Sequence, residues 1–173
     1  MERRIDEELV LIPYYPNPEA ALPWYQDPEL CRQVDGRPDV YDPDRLDRMY
    51  TFLSEQGACY YIEYRGTLVG DVSLRNSGEI AVVVSVPYQN RHIGHRCVRE
   101  MLALARERGM TEVKAQIYAF NVRSRAMFLS AGFTQADGDW YRCSLDGEPA
   151  AQGQPAQTEG TGPRDPEDGA KAP

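Results

Sequence analysis

The sequence predicts an α+β fold, an α/β layer in which a mixed, mostly antiparallel twisted sheet is flanked by helices. Three observations carry this. Apolar residues recur at helical spacing in YDPDRLDRMYTFLSEQG. Apolar, β-prone residues then fill two short runs joined by a tight break, ACYYIEY and TLVGDVSL. Finally EIAVVVSV, CVREMLALARERG and EVKAQIYAF follow one another as strand, helix and strand. Such a crossover makes its two strands parallel inside an otherwise antiparallel sheet.

In chain order, ELVLI from Glu8 to Ile12 reads as the first strand. NPEAALPWY and DPELCRQV each open with an amide or acidic cap followed by proline, which suits a helix start. In the next helix Asp42 caps, Pro43 takes the first helical position, Leu46, Met49, Tyr50 and Leu53 form one stripe, and Gly57 stops it. Arg65-Gly66 marks a hairpin between two strands, and RNSG marks the turn into EIAVVVSV. The unbroken Ile, Ala and Val core of that third strand predicts burial on both faces. A helix from about Ile93 to Arg108 places Val98, Met101, Leu102 and Ala105 on one stripe. EVKAQIYAF is a strand, NVRSRAMFLSAG a short helix and GFTQADGDWYRCSL a closing hairpin.

The chain has 173 residues and a net charge of −8. Acidity of this size argues against a nucleic-acid binder, which needs clustered Lys and Arg. Cys31, Cys59, Cys97 and Cys143 form no CxxC pair, so no metal site is expected. MERRIDEELV lacks an apolar core and no run approaches ~18 apolar residues, so a cytoplasmic protein without a membrane segment is expected. Residues 1–145 form one domain in this reading. The stretch from 146 to 173, rich in Pro, Gly, Ala and Gln, buries too little apolar surface to fold and is expected to be disordered.

Between the third strand and its helix lies YQNRHIGHR, a polar turn holding both histidines of the chain, His92 and His95. A strand, a polar turn and a helix start make an anion cradle, because the first helical N–H groups have no partner and the dipole is positive there.

At these residues the chain resembles the GNAT superfamily of N-acetyltransferases. VVVSVPYQNRHIG is similar to the family's strand and (Gln/Arg)-x-x-Gly-x-(Gly/Ala) loop. IYAFNVRSRAMFLSAGF is similar to its Asn-x-x-(Ser/Ala) helix ending in Gly-Phe. The match runs from about Leu9 to Ser144. The resemblance implies an enzyme that moves acetyl from acetyl-CoA to a primary amine by direct attack in a ternary complex, without a metal. It implies that Gln89, Asn90, Arg91, His92, Ile93, Gly94 and His95 hold the CoA pyrophosphate, with Arg91 and Arg96 adding charge. A kink or bulge in VVVSV should splay that strand from IYAF, so that the pantetheine arm pairs with Val84, Ser85 and Val86. Asn121, Ser124 and Phe128 complete the cofactor site, and Asn121 also suits a helix N-cap.

The chain departs from the family twice. His92 stands where glycine is usual. It is expected to keep a negative φ and to point away from the loop or onto a phosphate oxygen. Phe128 stands where a tyrosine acid is usual, so Tyr118, Tyr88 or Tyr141 substitutes, or the thiolate leaves unaided. For the base, Glu79 is favoured and Asp71 is second. The acidic and aromatic N-terminal half, including Trp24, Tyr25, Asp27 and Glu29, suits a small cationic amine or a peptide amine as acceptor. Many family members are homodimers. The alternative readings are a non-catalytic acetyl-CoA-binding regulatory module, and an interaction domain without a cofactor.

Overall fold

The computed structural model describes residues 1–147; all of the predicted tail beyond Asp146 and Gly147 lies outside them. Strands β1 (Arg3–Arg4) and β2 (Leu9–Pro13) are followed by three helices, α1 (Pro18–Tyr25), α2 (Pro28–Asp35) and α3 (Pro43–Glu55). A meander of β3 (Gly57–Tyr64), β4 (Thr67–Arg75) and β5 (Ile80–Val84) comes next. After a 3-10 turn at Val86–Tyr88 come α4 (Ile93–Glu107), β6 (Glu112–Gln116), α5 (Val122–Ser130), β7 (Thr134–Asp137) and β8 (Trp140–Ser144).

The strands make two sheets. Five run antiparallel in the order β1-β2-β3-β4-β5, and three in the order β6-β8-β7. Their only link among the described strands is one parallel bridge between Glu79 and Lys114, where Lys114 N donates to Gly78 O at 2.9 Å. The predicted crossover is therefore present, but β5 and β6 part directly after it. The predicted strand EVKAQIYAF is cut short at Gln116. Ile117 N turns instead to Asp139 O, and Asn121 N closes a turn onto Tyr118 O.

Local chemistry explains the elements. Asn17, Asp27 and Asp42 cap α1, α2 and α3 with side-chain oxygens, each followed by proline at the first turn. Arg65 and Gly66 both have left-handed backbone (φ 49° and 81°), as a tight two-residue hairpin requires. Gly57 does not stop α3, which ends one residue earlier at a Gln56 C-cap. Glycine is needed there because a Cβ would lie 2.2 Å from Leu74 O of β4.

The large sheet is covered on both faces. On one side Leu9, Leu11, Ile62, Val72, Leu74 and Ile80 pack against α4 through Ile93, Val98, Met101 and Ala105, all nearly or fully buried. Each large apolar side chain buried there contributes about 1.5–3 kcal/mol. On the other side Cys59, Tyr61 and Val83 meet α1, α2 and α3 through Trp24, Tyr25, Leu30, Leu46 and Tyr50. The result is a sheet whose β5 edge opens onto a split, backed by α4 and flanked by α2 and α5.

Candidate active site

The split widens into a cleft of about 830 Å³. Its walls are β5, the loop from Tyr88 to His95, α2 and the segment from Gln116 through α5. The strand wall offers backbone groups. Arg75 N donates to Glu79 O, and Ser85 N donates to Val69 O, so odd-numbered residues of β5 turn their polar groups toward β4. Strand backbone groups alternate in direction, so Val82 and Val84 aim theirs into the split. Val84 was expected to face the split; Val86 lies in the 3-10 turn instead, and the second residue of β5 with its backbone groups on that side is Val82.

The expected bulge is absent from this wall. β4 and β5 keep an unbroken register from Gly70 opposite Val84 to Leu74 opposite Ile80. The split arises on the other side, where β6 pairs with β8 rather than with β5.

The loop supplies the cradle. Side chains cap α1, α2, α3 and α5, but none caps α4. His92 precedes α4 with φ 58° and ψ 18°. This overturns the expectation of a negative φ. His92 adopts left-handed backbone at a cost of roughly 1 kcal/mol or more. A left-handed residue followed by a helical one draws successive N–H groups into one concavity, a geometry that receives anions. Asn90 is left-handed as well (φ 64°).

The electrostatics point the same way. Glu19, Glu29 and Asp44 stand in the first turns of α1, α2 and α3, as helix dipoles favour. The first turns of α4 and α5, at the cleft, hold no acid. They hold His95 and Arg123 instead, and both line the cleft. His95 Nε2 is buried without a hydrogen-bond partner among the described residues. Burial, then Arg99 and His92, lower its pKa. Arg96 braces the loop from behind: its Nε and Nη2 donate to His92 O and Arg91 O, each at 3.4 Å, while Asp6 holds its Nη1 at 2.8 Å and Glu8 at 3.4 Å. The Arg91 guanidinium lies over the Tyr88 ring, 5.4 Å from its centre.

Of the residues expected to hold the cofactor, Val84, Gln89, Asn90, His92, Ile93, Gly94, His95, Asn121, Ser124 and Phe128 meet around the cleft, whereas Ser85, Val86 and Arg91 lie outside its lining. Asn121 caps α5, its Oδ1 accepting from Ser124 N at 3.2 Å. Phe128 packs edge-on against Phe133 and is mostly buried.

The three expected catalytic side chains are not on the cleft wall. Glu79 sits where the sheets join and is paired with Arg75. Asp71 is fully buried between α1 and α3, and both Tyr25 and Tyr50 donate to its Oδ2 at 2.7 Å. Burial pushes its pKa up to about 6, against the pull of the two phenols. Tyr118 stacks on Phe120 and lies against Gly36, whose missing Cβ would be 3.3 Å from the ring. Of the other tyrosines, Tyr88 lines the cleft, while the buried Tyr141 hydroxyl accepts from Arg125 Nε at 2.8 Å. Sequence reasoning missed Arg32 and Gln33 on α2, and Arg123, as cleft residues. A cation at a helix start was the legible signal for Arg123.

The sequence profile of the acetyltransferase (GNAT) family matches residues 19–133. The chain belongs to that family. GNAT enzymes are acetyl-CoA-dependent acyltransferases, and solved structures of acetyltransferases share this chain's fold. A GNAT acetyltransferase from Bacillus anthracis has 13% identity and a TM-score of 0.70, over 82% of this chain and 97% of that one. The microcin C7 self-immunity acetyltransferase, solved with acetyl-CoA and AMP, has 15% identity and a TM-score of 0.65, over 81% and 94%. The spermidine N-acetyltransferase of Vibrio cholerae, solved with CoA and spermine, has 10% identity and a TM-score of 0.67, over 81% and 97%. No curated protein matches the chain. The residues present fit the family's cosubstrate: an uncapped helix start in a left-handed nest for the pyrophosphate, and an unpaired strand edge for the arm. Among the described residues no helix is long and apolar enough to cross a membrane.

Proposed function

We infer that the protein is an N-acetyltransferase that moves the acetyl group of acetyl-CoA onto a primary amine, by direct attack within a ternary complex. The observation that carries this reading is the open N-terminus of α4, left without a side-chain cap beside an unpaired β5 edge. The N–H groups of Ile93, Gly94 and His95 receive the pyrophosphate. Val82 and Val84 pair with the pantetheine arm, and Asn121 reaches the same arm from α5. Acetyl-CoA supplies the activated thioester.

The amine nitrogen attacks the acetyl carbon, a β5 backbone N–H stabilises the oxyanion, and the carbon–sulfur bond breaks to release CoA thiolate. With Glu79 held by Arg75 and Asp71 buried under two phenols, we assign the ammonium proton to Glu29, a carboxylate of the cleft wall. Phe128 has no proton to give, so the thiolate leaves without it. Of the residues expected on the acceptor side, Trp24 and Tyr25 are buried in the core and Asp27 caps α2, which leaves Glu29 as the carboxylate of the cleft lining that suits a cationic amine. The test is calorimetric titration with acetyl-CoA, followed by turnover with polyamines and with peptide N-termini. Micromolar binding and release of free thiol with an amine support the reading. No binding at millimolar acetyl-CoA overturns it.

A further inference from the structure

Helix α2 touches both walls of the split. On the β5 side Gln33 and Gln89 form a reciprocal amide pair. Gln89 Nε2 donates to Gln33 Oε1 at 2.8 Å, and Gln33 Nε2 donates to Gln89 Oε1 at 3.4 Å. The same Gln89 Nε2 also donates to Val84 O at 2.9 Å. On the β6 side the Arg32 guanidinium lies 4.5 Å over the Phe120 ring, and Gly36 seats itself on Tyr118.

One amide nitrogen thus ties α2 to a carbonyl that the split offers to an incoming chain. The β4 side of that strand is closed by the ladder, so Gln89 approaches Val84 O from the open side. An amide N–H arriving between β5 and β6 comes to the same place. A carbonyl oxygen can accept twice, but Gln89 already stands on the open side of Val84 O, so an arriving N–H competes with it there and weakens its hold.

We propose that the Gln33–Gln89 pair is a latch that draws α2 across the split in the free protein and opens when the cosubstrate arm takes Val84 O. The latch rests on the acetyl-CoA reading above and goes beyond it, because it makes cosubstrate binding the event that frees the α2 wall. Gln33 is the half of the pair to change, since Gln89 belongs to the cradle.

The probe is CoA, titrated by calorimetry into the full chain and into Gln33→Leu and Gln33→Ala variants whose melting confirms folding. Removing the partner lowers the cost of displacing Gln89. Affinity should rise by about threefold to tenfold, the worth of one neutral hydrogen bond. Equal or weaker binding in the variants overturns the latch while leaving cosubstrate binding intact. A wild type that ignores CoA overturns both. Hydrogen exchange of wild-type residues 28–36 gives a second reading that needs no variant. Exchange should quicken with CoA, and unchanged or slower exchange overturns the latch.

Discussion

Tyr50 on α3 donates its hydroxyl to Asp71 Oδ2 on β4 at 2.7 Å. Tyr25 of α1 donates to the same oxygen, so one carboxylate joins two helices to the sheet. Its pKa is raised from 3.8 to about 6 by burial. Between those values the folded protein holds a proton that the unfolded chain has lost. Stability therefore falls as pH rises from about 4 to about 6, by about 3 kcal/mol, and stays at that lower level above. Urea unfolding at a series of pH values should show this step, and Asp71→Asn should remove it. Because the phenols favour the charged form, Tyr50→Phe should move the upper end of the step above pH 6.

His92 carries a side chain in left-handed backbone. Glycine at that position relieves the strain, so His92→Gly should stabilise the fold by about 1 kcal/mol. Thermal melting should rise by about 2–4 °C for a chain of this size. An unchanged or lower melting temperature would show that His92 makes compensating contacts.

Asn121 has two tasks that substitution can separate. Its Oδ1 caps α5, and the residue lines the cleft. Asn121→Ala should cost about 1 kcal/mol of stability. Asn121→Asp keeps the cap and so keeps the melting temperature, but sets a negative charge against the cosubstrate. It should weaken acetyl-CoA binding more than tenfold by calorimetry.

Arg123 lies in the first turn of α5, against the helix dipole. Arg123→Ala should leave stability equal or slightly higher and weaken acetyl-CoA binding about threefold to tenfold. The loss should shrink at high salt, as screened attraction requires.

Much of this was legible in the sequence, and the reasons differ by residue. Asn121 was found because a cap is a local event: its side chain bonds an N–H three residues on. The strand, loop and helix around Gly94 were found because hydrophobic period and polar turn residues change sharply there. The surroundings of Glu79 and Asp71 were not. Asp71 meets Tyr25 and Tyr50 from 46 and 21 residues away, and no local pattern records such a meeting. Glu79 pairs with Arg75 across a turn, a contact set by register. Glu29 of α2 was expected on the acceptor side, but Arg32 and Gln33 of the same helix were missed as cleft residues because eight residues with few apolar positions say nothing of what they cover. The sign of φ at His92 was not legible, because a histidine side chain ordinarily favours negative φ and the path of the whole loop overrides it.

The single bridge between Glu79 and Lys114 has a consequence for how the protein lives beside its neighbours. An unpaired strand edge invites another polypeptide to add itself, and such edges seed aggregation. Here the edge is sunk in a slot, with the second sheet facing it and α2 above. A second strand, bringing side chains on both of its faces, meets both of those walls. A slender chain with a few amide groups fits between them more readily. The fold thus keeps a strand edge inside the molecule that Gln89 meets at Val84 O but no described neighbouring strand pairs along its length, sheltered from its own kind.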